Sequence, residues 1–339
     1  MSDGDRRPAR AAVFGTGRSG TEIVRAAALR DDVELVGGVT VSPEKAGADL
    51  GELTVGERLG IEVVADLDGL LARADVDVVL HTGVGSNAER AAVLGRCAAA
   101  GKDAITVAGM VHPPTAIGAA AAAELDRTAR EGGGRIVGTG VNPGLLLDTL
   151  PALLGSMATR IDHIHARRVS DIRNWGAGAL DTEVGLGLAP EEIRGAAGLA
   201  LDESLALIGD ALGLGLDRIE DVHEPLPAPT AREHAGRRVE VGANNGFRRR
   251  ALGHRGGAVV AEVEWFAVFC LDPDVDGETD SATVTVTGDA TVESSATGTF
   301  CGDPYPSTAA RALAAIGPLA SMPPGLYRPD QIPLSRRDR

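Results

Sequence analysis

The residues best suited to hold and work on a small molecule begin with Gly15-Thr16-Gly17-Arg18-Ser19-Gly20. This run follows apolar Ala12-Val13-Phe14 and precedes a helical pattern through Ile23, Val24 and Ala27. A strand, a glycine turn and a helix in that order can cradle the pyrophosphate of a dinucleotide. Gly15 permits the tight turn, Gly17 leaves space for phosphate against the backbone, and Gly20 lets the helix pack on its strand. The helix's free amides and positive end would hold the anion. Glycine is common here, at 45 of 339 residues, so the flanking strand and helix carry more weight than the spacing.

The next group decides which dinucleotide. NAD-selective sites carry an acid at the end of the second strand, where it takes the ribose hydroxyls. The corresponding position is Thr40, followed by Ser42, Glu44 and Lys45. Ser42, Lys45, the amides of a helix starting at Ser42, and Arg18 would accept a 2′-phosphate, so NADP(H) is the expected cofactor. NAD(H) remains open if Glu44 serves the ribose.

Proton chemistry points to two histidines. His81, in His81-Thr82-Gly83, falls at the carboxyl end of an apolar strand, where open α/β sheets place their ligands. These three residues are expected to touch the cofactor. His112 follows the next strand, after Ala108 and Met110, and either imidazole suits a general acid near neutral pH. Asn142, in Gly140-Val141-Asn142-Pro143-Gly144, can orient substrate or nicotinamide, or simply form an Asx turn. Arg167, Arg168, Asp171 and Trp175 follow the first strand of the second half, and Met110, Arg168, Asp171 and Trp175 are expected substrate contacts. His163 and His165 share a strand face, but no third ligand with suitable spacing accompanies them, so no metal is expected.

Positioning these groups requires alternating strands and helices. Strands are expected at Ala11–Phe14, Val33–Val41, Ile61–Val64, Val76–Leu80, Asp103–Val107 and Gly134–Gly138. Helices are expected at Ser19–Leu29, Leu67–Ala72, Asn87–Ala100 and Pro114–Glu131, with a further start at Ser42-Pro43. That pattern predicts an α/β, doubly wound parallel sheet of Rossmann type. Past Gly140 come helices at Gly144–Thr159 and Pro190–Leu212, a strand from Ile161, and β-rich alternation over Val222–Phe300. Pro225–Pro229 reads as an exposed loop within a mixed or antiparallel sheet with one polar face. The last helix is Pro306–Ala320, closed by Pro323-Pro324. Met1–Arg10 reads as a frayed tail.

The composition is 44% hydrophobic and 3% aromatic, with a formal charge of −15, so the core must be built from Ala, Val, Leu and Ile. A field of that sign repels nucleic acid and anionic membranes, so neither is an expected partner. Cys97, Cys270 and Cys301 are far apart and odd in number, which suits a reducing cytoplasm. No signal peptide or membrane-length apolar run is visible.

The chain resembles the dihydrodipicolinate-reductase-like oxidoreductases that include 2,4-diaminopentanoate dehydrogenase and the native amine dehydrogenases. The likeness rests on Val13–Gly17, on Leu35–Gly37 through Ser42–Lys45 to Asp49–Leu53, and on Gly101–Thr106. It continues at Gly140–Gly144 with Asp148–Pro151, and at Ser307–Ala312 followed by Pro323–Gly325. It implies a Rossmann domain over 1–140, joined by a returning C-terminal helix within 305–330. Residues 141–304 would form an α+β substrate domain whose sheet makes a homodimer. The implied activity is reversible hydride transfer between NAD(P) and a carbon–nitrogen bond. Amine-oxidising members place a Glu just after the Gly-Lys strand, whereas Ala108 and Gly109 stand there in this chain. An amine must lose a proton before its carbon releases hydride, so reduction of a preformed C=N bond is the expected reaction. The alternatives are a carbonyl reductase and a non-catalytic NADP-binding regulator.

Overall fold

The computed structural model describes residues 7–83, 85–193 and 201–334. Strands are β1 (Ala9–Phe14), β2 (Val33–Val39), β3 (Val63–Val64), β4 (Val78–His81), β5 (Asp103–Thr106), β6 (Arg135–Gly138), β7 (Ile161–Asp171), β8 (Arg218–Pro227), β9 (Arg232–His234), β10 (Arg237–Val239), β11 (Asn244–Arg255), β12 (Ala258–Val268), β13 (Ser281–Gly288), β14 (Val292–Ala296) and β15 (Gly325–Tyr327). Helices are α1 (Arg18–Ala27), α2 (Leu50–Thr54), α3 (Leu67–Leu71), α4 (Asn87–Ala99), α5 (Pro113–Ile117), α6 (Ala119–Gly132), α7 (Thr149–Gly155), α8 (Leu201–Ala211), α9 (Pro273–Asp276), α10 (Thr299–Gly302) and α11 (Tyr305–Ala320). The chain divides into two compact units: one runs to Gly144 and resumes at Tyr305, and the other spans Leu145–Pro304.

The first unit is built on a seven-stranded parallel sheet in the order β15-β6-β5-β4-β1-β2-β3. Its central strands are apolar at nearly every position because both faces are covered. Ala11 and Val13 of β1 join Ile23 and Val24 of α1 and Leu313 and Ile316 of α11 in one core. Ala12 and Phe14 point the other way, into a core with Leu94 and Cys97 of α4 and Leu125 and Ala129 of α6. This is a doubly wound sheet whose period-two alternation serves two helical layers.

The second unit carries a six-stranded mixed sheet in the order β14-β13-β7-β12-β11-β8, and β9 and β10 form a separate ribbon. Strand β7 runs parallel to β12 and antiparallel to β13. On β7, Ile164, Ala166 and Arg168 are wholly buried, while His163, His165 and Arg167 are partly exposed, so one sheet face is polar. Helix α8 packs on β8, β11 and β12. Among the described residues no helix is long and apolar enough to cross a membrane, and all three cysteines are unpaired.

Several expected elements take a different form. The helix expected to start at Ser42 is a single 3-10 turn, Pro43–Lys45, and Ser42 supplies no side-chain cap. The helix proper begins later, where Asp49 accepts from the amides of Gly51 and Glu52. The Pro114–Glu131 helix is two helices, broken at Gly118, whose φ of 85° is foreign to a helix. The Gly144–Thr159 helix contracts to α7, with Asp148 as its N-cap. Pro225 and Pro227 lie in β8 rather than in a loop, because β8 is an edge strand and an edge tolerates missing N–H donors. The amino-terminal segment is anchored where it is described, since Arg7 and Arg10 both pair with Asp77, at 2.6 and 3.1 Å. Residues 1–6 of that tail, and 194–200 of the expected Pro190–Leu212 helix, lie outside the described residues.

Candidate functional site

The strand order reverses at β1 and β4, the switch point beside which open α/β sheets bind ligands. The glycine turn leaves β1 at this place, and each of its glycines has its own reason. Gly15 has a φ of 104°, and a Cβ there would stand 2.7 Å from Thr82 Oγ1. A Cβ on Gly20 would stand 2.1 Å from the Gly15 carbonyl oxygen, so only glycine lets α1 start so close to β1. A Cβ on Gly17 would meet nothing within 4 Å, so no protein atom requires glycine there. Gly17 is also the N-cap of α1; it offers no side-chain acceptor, and the first turn holds no acid. The opening amides of α1 are thus free of side-chain caps and suited to an anion. Thr82 Oγ1 fastens the turn from β4, lying 3.0 Å from the Phe14 carbonyl and 3.2 Å from that of Gly15.

The residues expected to read the ribose gather on the same turn. Lys45 Nζ donates to Thr16 Oγ1 at 3.3 Å, bringing the segment after β2 onto the glycine loop. Thr40 is buried, and its hydroxyl accepts from the Ser42 amide at 3.1 Å. The 3-10 turn removes the helix amides expected at Ser42, leaving Lys45 as the cation beside the loop. Arg18 lies on the face of Tyr305, 4.8 Å from the ring centre.

At the ends of β4 and β5, His81 Nδ1 and Thr106 Oγ1 are 3.1 Å apart, and the Ala108 amide donates to the same hydroxyl at 3.2 Å. Burial, with a contribution from Arg90, pushes the His81 imidazole down to about 4. It is therefore neutral at pH 7, so burial works against its serving as a proton donor there. A Cβ on Gly83 would stand 3.0 Å from His81 Nε2, so the backbone closes over this ring. His112 is buried at the start of α5, with Nδ1 2.8 Å from Thr115 Oγ1. Met110 is fully enclosed with a φ of 62°, so its side chain belongs to the core rather than to a substrate surface.

Asn142 precedes a cis Pro143 in a loop held by Thr308 of α11, whose Oγ1 accepts from the Val141 amide at 3.3 Å. Asn142 Oδ1 and Thr139 Oγ1 are both buried without a hydrogen-bond partner. Thr139 and Thr308 were not legible as site residues, because threonine near a glycine run carries no signal of its own. Orphaned acceptors of this kind call for an explanation, and a bound ligand is one.

In the second unit, Arg168 is fully buried: Nη2 donates to the carbonyls of Phe300 and Cys301 at 3.2 and 3.0 Å, and the guanidinium lies 4.8 Å from the Trp265 ring centre. Burial lowers it to about 10, so it stays charged at pH 7. Asp171 accepts from the amides of Arg173 and Cys270 and pairs with the Arg173 guanidinium. Arg168 thus holds α10 to the sheet, with its Nε and Nη1 buried without a hydrogen-bond partner, while Asp171 fixes the turns that follow β7 and β12. Trp175 packs edge-on against Trp265 at 5.5 Å, and its buried Nε1 has no partner.

Comparison with known proteins agrees with this architecture. Residues 9–108 match the family model for the dihydrodipicolinate reductase N-terminus, and residues 145–337 match that for the 2,4-diaminopentanoate dehydrogenase C-terminal domain. The chain is 29% identical over 151 residues to 2,4-diaminopentanoate dehydrogenase of Acetoanaerobium sticklandii, covering 42% of each protein. It is 30% identical over 167 residues to an amine dehydrogenase of Streptomyces virginiae, covering 48% of this chain and 46% of that one. The chain thus spans less than half the length of these curated relatives. The solved amine dehydrogenase of Mycobacterium smegmatis superposes with a TM-score of 0.82 at 25% identity, covering 100% of this chain and 98% of that one.

Proposed function

Because the chain belongs to the 2,4-diaminopentanoate dehydrogenase family by its C-terminal domain, we propose that it is an NADPH-dependent oxidoreductase that adds hydride to the C=N bond of a small imine or iminium. The observation that carries this reading is the glycine turn, where Gly15 and Gly20 are required by the fold but Gly17 is not. A residue without a side chain, facing open space at an uncapped helix start, fits a dinucleotide pyrophosphate.

A bound nicotinamide nucleotide supplies the hydride. The chain's own residues bind, orient and move the proton. The α1 amides would hold the pyrophosphate, and Lys45 beside Thr16 would hold a 2′-phosphate, with no carboxylate at position 40 to repel it. The free Oδ1 of Asn142 accepts an N–H from the substrate or the carboxamide. His112, or a water it holds, protonates a neutral imine nitrogen; an iminium needs hydride alone. With Ala108 and Gly109 where amine-oxidising relatives are implied to carry Glu, no carboxylate stands there to exchange a proton with the substrate nitrogen, which suits a preformed iminium that needs hydride alone. A second copy pairing through the mixed sheet, and a cytoplasmic setting for three unpaired thiols, complete the reading.

Loss of NADPH absorbance with cyclic imines and ketones, and its gain from NADP+ with amines, tests it. Imines are expected to turn over fastest. Turnover of ketones alone would make the protein a carbonyl reductase, and nucleotide binding without turnover would make it a sensor.

A further inference from the structure

The polar face of the mixed sheet carries a group of side chains that hydride transfer does not use. His163 and His165 lie at alternate positions on β7, and Glu262 and Glu264 lie at alternate positions on β12. The parallel pairing sets His165 directly opposite Glu262 and Arg167 opposite Glu264. Read along the chain, the histidine pair lacks a third ligand. The sheet supplies it from almost a hundred residues away.

We propose that His165, Glu262 and Glu264 form a divalent-cation site, of zinc-binding chemistry, that clips β7 to β12. One imidazole nitrogen and an oxygen from each carboxylate lie within 4.8 Å of one another. His165 Nε2 is 3.8 Å from Glu264 Oε2, too long for a hydrogen bond. Two ligands on a tetrahedral zinc stand about 3.3–3.6 Å apart, given metal–ligand distances near 2.0–2.2 Å. Small side-chain rotations therefore close the site.

The unsatisfied groups converge on the same point. His165 Nε2 is buried and has no hydrogen-bond partner. Glu262 makes an electrostatic interaction with His163 on the neighbouring strand, and its carboxylate lies with His165 and Glu264 in the same cluster. Glu264 Oε1 accepts from Arg167 Nε at 2.9 Å and Arg248 Nε at 3.2 Å, and Oε2 accepts from Arg248 Nη2 at 3.2 Å. A carboxylate has about four lone-pair sites, so these three donors leave one, on the oxygen nearest His165.

The two guanidiniums oppose a cation, but Glu262, Glu264 and Glu278, the last bound to Arg167 at 2.7 Å, leave the cluster with excess negative charge. A mixed imidazole and carboxylate donor set suits zinc and its neighbours better than calcium or magnesium. The remaining coordination positions fall to water, and no step of the proposed reaction passes through this metal.

Titration of untagged, chelator-stripped protein with zinc against a chromophoric chelator tests the site. The expected result is one zinc per chain, a count that reads the same in a monomer or a dimer. His165→Gln and Glu262→Gln should each weaken uptake at least about tenfold, while their metal-free Tm values stay at that of the parent. Both side chains are partly exposed, so neither substitution opens the core. X-ray absorption at the zinc edge should show nitrogen and oxygen ligands only, with the imidazole signature lost in His165→Gln. Absence of stoichiometric uptake by the parent, sulfur in the first shell, or uptake that survives both substitutions overturns the proposal.

Discussion

Lys45 donates from Nζ to Thr16 Oγ1 at 3.3 Å, so the only cation in the segment after β2 stands on the glycine loop that follows β1. The two residues are 29 apart in sequence and meet because β2 lies beside β1 in the parallel sheet. This contact is where cofactor choice is expected to be decided.

Lys45→Met keeps the aliphatic stem and removes the charge. A lost charge-assisted contact to a phosphate should weaken NADPH binding by about tenfold or more and leave NADH within about twofold. Fluorescence titration with both nucleotides measures the difference. Equal weakening of both would assign Lys45 to holding the loop rather than reading the phosphate.

His81 links the site to stability. Burial holds its pKa at about 4, below the ordinary 6.5 of an exposed imidazole, so below neutral pH the unfolded chain binds the proton more readily. Stability is therefore fully present above about pH 6.5 and falls as the pH drops toward 4. The full loss is on the order of 3 kcal/mol. Urea midpoints measured between pH 7.5 and 4.5 should show this slope in the parent and a shallower one in His81→Asn. Parallel slopes would place the titrating group elsewhere.

His112→Gln removes the assigned proton donor while retaining a polar side chain near Thr115. The turnover number for a neutral imine should fall by about a hundredfold, with less change in KM. Unchanged turnover would hand the proton step to solvent.

Ala108→Glu restores a carboxylate at the implied position of the base. Oxidation of a small primary amine at pH 9 should rise by about tenfold or more over the parent. A folded variant with no gain would show that the carboxylate belongs at another position or that the substrate is not an amine.

Much of this site could be read before the fold was known, because its signals are local. The glycine spacing, the apolar strand into it and the amphipathic helix after it all lie within Ala9–Ala27. Contacts set by strand order were not legible. Residues 325–327 form the outermost strand, β15, although three residues after a Pro-Pro pair show no period. Gly118 breaks a run whose alanines favour helix throughout, since one φ of 85° outweighs the flanking propensity. Arg168 is expected just after a strand, yet it lies within β7 and is buried, with two backbone carbonyls and an indole to receive it. The carboxylates of Glu262 and Glu264 belong to the same class, since parallel register alone brings β12 to β7, with Glu262 opposite His165 and Glu264 opposite Arg167.

Nucleotide binding by Gly17→Val tests the central claim most directly. Its Cβ would have no neighbour within 4 Å, and its φ of −83° and ψ of −169° suit a β-branched residue, so the variant should fold with the parent's Tm. A side chain in the space assigned to the pyrophosphate should raise the NADPH Kd by about a hundredfold. If Gly17→Val binds NADPH as tightly as the parent, the dinucleotide does not sit on this turn.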